Sequence, residues 1–173
     1  MDVWMVSRKE LKNDLLDLFA ALDDIQYQYD WIVSDHNMWY SPGCPEEVSN
    51  RWNWNALLIS GKDMTEHLRK VYLSFGFGGI LSAVPLGTKP EQVWDYVPGW
   101  EVNFEDPSYQ FQTPLTELEI ICYDGYAWMI ICKPELSARI QERLPLAMPP
   151  KEWYPAHTTI RPDEKGNEIT VIQ

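Results

Sequence analysis

The chain has 173 residues, 45% hydrophobic and 23% charged, with a formal net charge of −12. That length suits one domain burying roughly two-thirds of its unfolded surface, and the balance excludes global disorder. Its negative charge repels phosphate backbones and anionic lipid surfaces, so neither nucleic acid nor membrane is an expected partner.

Residues Met1 to Glu10 lack the basic flank and apolar core of a signal peptide. Ser7 and Glu10 read as a capping box, and Leu11, Leu15, Leu18, Phe19 and Leu22 recur at helical spacing, predicting an amphipathic helix over 8–23. From Ile25 the period becomes two, through Tyr27, Tyr29, Trp31 and Val33, which predicts a strand. Residues 34–50 read as a loop broken by Pro42, Gly43 and Pro45. A strand is expected over 52–59, ending at Ser60-Gly61, then a short helix carrying Met64, His67 and Leu68. Apolar segments at 71–73 and 80–84 flank Gly76-Phe77-Gly78-Gly79 and suggest a hairpin. Thr88, Pro90 and Glu91 open a short helix through Tyr96, and 98–114 is irregular, rich in aromatics and carboxylates.

The clearest local signal spans Leu115 to Cys132, where two apolar runs flank Asp124-Gly125, a preferred pair for a two-residue type I′ turn. In that register residue 123 pairs with 126. Leu118, Ile120, Cys122, Ala127, Met129 and Ile131 then share a core face, and Cys122 and Cys132 fall on opposite faces, which disfavours a disulfide. Pro134 opens a helix with Leu136, Ile140 and Leu144 on one side, ended by prolines at 145, 149 and 150. The tail suggests a hairpin of Thr158–Arg161 with Glu168–Ile172. The expected fold is therefore α+β: a single domain over 1–173, with an antiparallel sheet flanked by a few short helices.

The charge is uneven. Residues 1–50 hold ten Asp/Glu against three Lys/Arg, 51–90 two against five, 91–132 eight against none, and 133–173 six of each. Such a surface attracts a basic protein, with fast encounter and strong salt dependence, although excess carboxylates also serve solubility alone. Nine tryptophans suit both a core and an interface.

Chemical motifs are sparse. Asp35, His36, Cys44 and His67 lack the paired spacings of a metal site, so no metal is expected. Cys44 with His36 leaves a thiol dyad open only if the fold joins them. The glycines at 76, 78 and 79 precede no Gly-Lys-Ser/Thr ending, so no phosphate loop or nucleotide cofactor is implied. Carboxylate pairs such as Glu117 with Glu119, or Glu101 with Glu105, keep a carbohydrate or small-molecule binding or hydrolysing domain as an alternative. A structural subunit burying its aromatic face in an oligomer is another. The absence of a secretion signal or a ~20-residue apolar span, with an odd count of three cysteines, leads to an expected cytoplasmic location.

The run Trp52-Asn53-Trp54-Asn55-Ala56-Leu57-Leu58-Ile59-Ser60-Gly61 and the hairpin from Glu117 to Ile131, followed by a short helix and Pro145, resemble the small immunity-type proteins that accompany bacterial polymorphic toxins. The likeness covers residues 50–145. It implies an acidic, cofactor-free α+β protein that occludes the active site of a cognate toxin, and it supplies no catalytic residue. On this reading the chain is a non-catalytic binding protein whose partner is a basic, nuclease-like protein. Asp95, Tyr96, Trp100, Glu101, Phe104, Glu105 and Asp106 are its expected contacts, because rings and carboxylates mingle there in one loop.

Overall fold

The apolar runs on either side of Asp124-Gly125 form strands β7 (Leu118–Tyr123) and β8 (Ala127–Cys132). The computed structural model describes residues 1–52, 56–70, 73–96, 109–111, 113, 115–165 and 167–172. These strands lie inside a six-stranded sheet completed by β1 (Asp2–Ser7), β2 (Tyr29–Ser34), β4 (Leu57–Ser60) and β6 (Ile80–Pro85), in the order β1-β8-β7-β6-β2-β4. Every pairing in it is antiparallel. Two small sheets pair β3 (Met38–Tyr40) with β5 (Leu73–Phe75), and β9 (Thr158–Pro162) with β10 (Glu168–Ile172). The fold is α+β, as the sequence predicts.

The hairpin register differs from expectation by one residue. Asp124 and Gly125 both take positive φ, and Tyr126 N donates to Tyr123 O at 3.0 Å. Tyr123 nevertheless stands opposite Ala127, so Tyr126 is an extra residue in the loop. Every β8 side chain therefore moves to the other face. Leu118, Ile120 and Cys122 share their face with Trp128, Ile130 and Cys132, while Ala127, Met129 and Ile131 line the opposite one with Met5, Ile80 and Ile121. Cys122 and Cys132 thus lie on the same face. They remain free thiols because Cys122 stands opposite Trp128, and Cys132 opposite Leu118, at the far end of the ladder.

Both faces are covered, which explains why neither run alternates cleanly. On one side lie α1 (Leu15–Ala21), with Leu15, Leu18 and Phe19 buried, Met64 of α3 (Gly61–Arg69) and Ile140 of α4 (Pro134–Arg143). Ser60 caps α3 by accepting from Asp63 N at 3.1 Å. On the other side Trp153 of α5 (Pro150–His157) packs on Met5, Met129 and Ile131. The buried carboxylate of Glu119 lies on this side, accepting from Tyr109 Oη at 2.6 Å and from Ser82 Oγ at 3.4 Å. Burial, and then the Glu119 charge, push the Tyr109 hydroxyl far above its ordinary range.

Four further expectations change. The helix over 8–23 is instead a 3-10 turn, Arg8–Glu10, directly after β1, and the shorter α1, which begins after Asp14 at φ 53°. Ile25–Gln28 form a 3-10 turn before β2 begins. The segment 34–50 contains β3 and the start of α2 (Glu46–Arg51). Finally, β5 and β6 do not pair with each other: β5 joins β3, and β6 lies between β2 and β7. Residues 53–55, within the expected strand over 52–59, lie outside the described residues.

Candidate partner-binding surface

At one end of the main sheet the β7–β8 turn, the 3-10 turn after β1 and the β5–β6 loop converge on Arg8. Its side chain bonds Asp14 through both Nε (2.9 Å to Oδ1) and Nη2, a two-pronged charge-assisted contact. Nη1 reaches the carbonyls of Phe75 (3.0 Å), Gly76 (3.3 Å) and Gly125 (3.4 Å) and the Cys122 Sγ (3.4 Å). The guanidinium also lies 5.3 Å from the centroid of the Trp128 ring, whose Nε1 donates to Asp14 Oδ1 at 2.6 Å. Burial pulls the Arg8 pKa down, but the Asp14 hydrogen bond and charge outweigh it and leave it raised. One cation thereby joins three separate stretches of backbone.

The same pin explains the local glycines. A Cβ on Gly125 would meet Gly76 O at 2.8 Å, so the two loops touch backbone to backbone. A Cβ on Gly76 would meet the Trp39 Nε1 at 3.0 Å. Trp39 therefore lies directly over the β5–β6 loop, and its ring meets Phe77 edge-on at 5.8 Å between centroids.

These two rings are 58% and 59% exposed, although large apolar groups normally leave water. Tyr40 and Tyr126 are exposed beside them in sequence and in the turn, respectively. Trp39, Phe77 and Tyr126 wall a shallow concavity of about 440 Å³ that also includes Arg8, Lys9 and Asp124. Local sequence dictates the exposure: Phe77 sits among glycines, with few side chains near enough to cover it, and Trp39-Tyr40 runs into Ser41-Pro42-Gly43. An aromatic residue between turn residues is the local signal for this pair, and it contains none of the carboxylates that mark the 95–106 loop.

Of the residues expected to contact a partner, Asp95 is exposed in a 3-10 turn, Trp94–Tyr96, which Tyr96 closes. Trp94 beside it is exposed. Trp100, Glu101, Phe104, Glu105 and Asp106 lie outside the described residues. Glu101 and Glu105, weighed as a carboxylate pair, fall there too. In the other pair, among the described residues, Glu117 meets Tyr29 Oη (3.2 Å) and Lys133 Nζ (3.1 Å), whereas Glu119 meets Tyr109 and Ser82.

His36 and His67 converge on one residue, Trp52. His36 Nε2 donates to the Trp52 carbonyl at 2.9 Å, beside Tyr40 Oη at 2.8 Å, and Trp52 Nε1 donates to His67 Nδ1 at 3.0 Å. Burial lowers the pKa of both imidazoles, helped at His67 by the positive charge of Arg51. Cys44 turns instead to Pro45 O at 3.6 Å. Among the described residues no three His, Cys, Asp or Glu side chains gather closely enough to hold a metal ion. Nor, among them, is any helix long and apolar enough to cross a membrane. Compared with known proteins, the chain matches no family model, no curated protein and no solved structure.

Proposed function

We propose that this chain is a non-catalytic binding protein that attracts a basic protein by its overall negative charge and anchors it on exposed rings, in the manner of an immunity protein occluding a toxin. The observation that carries this reading is the Trp39–Phe77 pair. Both rings are more than half exposed, yet they rest on a loop that Arg8 fastens to two other elements. Rigid rings lose little conformational entropy on binding and are the usual anchors of protein interfaces. The net charge of −12 supplies long-range attraction for a basic partner.

Co-expression with the product of the adjacent reading frame tests the proposal. A stable complex is expected, with association slowing steeply as salt rises, and with Trp39→Ala and Phe77→Ala each weakening it by about tenfold or more. A complex indifferent to both variants and to salt would remove the surface from consideration. A concavity walled by Trp39, Phe77 and Tyr126 also suits a sugar ring. Saturable quenching of Trp fluorescence by a soluble oligosaccharide, abolished by Trp39→Ala, would favour that alternative.

A further inference from the structure

β1 is the outer strand of the main sheet, and the chain covers only part of its free edge. Met5 exchanges both main-chain hydrogen bonds with Met148: Met5 N to Met148 O at 2.8 Å, and Met148 N to Met5 O at 3.0 Å. Backbone groups alternate sides along an antiparallel strand, so Val3, two residues earlier, also directs its N–H and C=O away from β8. Continuing the Met5–Met148 ladder would bring residue 150 opposite Val3. That residue is Pro150, which has no N–H, and with Pro149 it turns the chain into α5. Among the described residues, the outward N–H and C=O of Val3 take no backbone partner.

The space left beside Val3 is a cavity of about 510 Å³, walled by Val3, Trp4, Pro149, Pro150 and Tyr154, with Lys151 at its margin. It combines an open pair of strand hydrogen-bonding groups with an apolar recess next to them. We propose that this edge receives an extended segment of a protein partner, which adds as a strand beside β1, exchanges hydrogen bonds with Val3 and places one apolar side chain in the recess. Antiparallel pairing with a second copy of β1 is a poorer fit. Two chains that each carry a net charge of −12 repel one another, whereas a cationic segment is attracted. This surface lies on other elements than the Trp39–Phe77 pair, so the two proposals stand or fall separately.

The probe is the blocked peptide acetyl-Lys-Thr-Val-Leu-Val-Lys-amide, whose lysines complement the acidic chain. In titrations followed by amide NMR, the Val3 N–H should shift and its hydrogen exchange should slow. Val3→Pro should fold, because the missing N–H faces away from β8 and proline is tolerated at such edge positions. It should bind the peptide about tenfold more weakly, the equivalent of about one lost hydrogen bond. Should that variant not fold, N-methylating the central leucine of the peptide removes the complementary donor and should weaken binding to the unaltered protein equally. Undiminished binding in the applicable arm overturns the proposal. So does a Val3 amide that stays unperturbed at millimolar peptide, or sedimentation showing that the free chain dimerises through this edge.

Discussion

Trp128 Nε1 donates to Asp14 Oδ1 at 2.6 Å, joining residues 114 positions apart. Asp14 takes this position with φ 53°, a backbone conformation that few residues other than glycine adopt without strain. It is held there by Trp128 and by both arms of Arg8. Asp14→Ala leaves a mostly buried guanidinium without its carboxylate, and should destabilise the chain by about 3 kcal/mol in urea unfolding. The Arg8→Ala, Asp14→Ala double variant should lose clearly less than the sum of the single losses. Simple additivity would mean that the pin is two independent contacts.

Two glycines separate backbone strain from steric contact. Gly125 and Gly87 both have positive φ, at 72° and 79°. A Cβ on Gly125 would lie 2.8 Å from Gly76 O, whereas one on Gly87 has nothing within 4 Å. Gly87→Ala should therefore cost about 1 kcal/mol, from conformation alone. Gly125→Ala should cost about 2–3 kcal/mol, since the turn must also part from the β5–β6 loop. Equal losses in thermal unfolding would show that the turn swings away freely.

That turn also marks where the sequence stops being legible. Asp124-Gly125 announced the hairpin and its positive φ angles, but the extra loop residue Tyr126 is decided by what docks there. Arg8 N donates to Tyr126 O at 2.9 Å, and β1 itself was hidden because Ser7 and Glu10 read as a helix start. Ser7 is buried in the sheet and makes no side-chain cap. Likewise α5 has no local signal: Pro149 and Pro150 read as breakers, yet Pro150 occupies its first turn, where a missing N–H costs nothing. Segments whose partners are local, such as α4 and the β9–β10 hairpin, were readable. The Arg8–Asp14–Trp128 cluster depends on contacts spanning most of the chain, and no local spacing encodes it.

The thiols should divide two to one. Burial, above all, pushes Cys122 up to about 11 and Cys132 up to about 12, and both are inaccessible, while Cys44 is partly exposed. In the native state near neutral pH a thiol reagent should modify Cys44 alone, releasing the other two only in denaturant. Rapid native modification of Cys122 would mean that the Arg8 side of the sheet opens readily.

Acid should destabilise the chain in a window set by two histidines. His36 and His67 have pKa values below the ordinary 6.5, chiefly because burial penalises the charged ring. The unfolded chain therefore takes up protons at higher pH than the folded one. Their contribution is complete above the unfolded pKa and is lost as pH falls through about 6.5, levelling off below the folded values. The limiting slope is about 1.4 kcal/mol per pH unit for each proton taken up on unfolding. The geometry agrees: among the described residues His36 Nδ1 is buried with no partner, so a proton there would be stranded, and a proton on His67 Nδ1 would break the bond from Trp52 Nε1. Glutamine can offer an amide donor at His36 and a carbonyl acceptor at His67. The His36→Gln, His67→Gln double variant should therefore flatten the stability profile between about pH 7 and pH 5.5, whatever its absolute stability. Urea unfolding at several pH values measures this, with the Trp52 indole resonance as a local reporter. A slope unchanged in the double variant would assign the acid sensitivity elsewhere. The surviving candidates would be carboxylates such as Asp17, whose lowered pKa, held down by hydrogen bonds from Asn13, places its own loss of stability at lower pH.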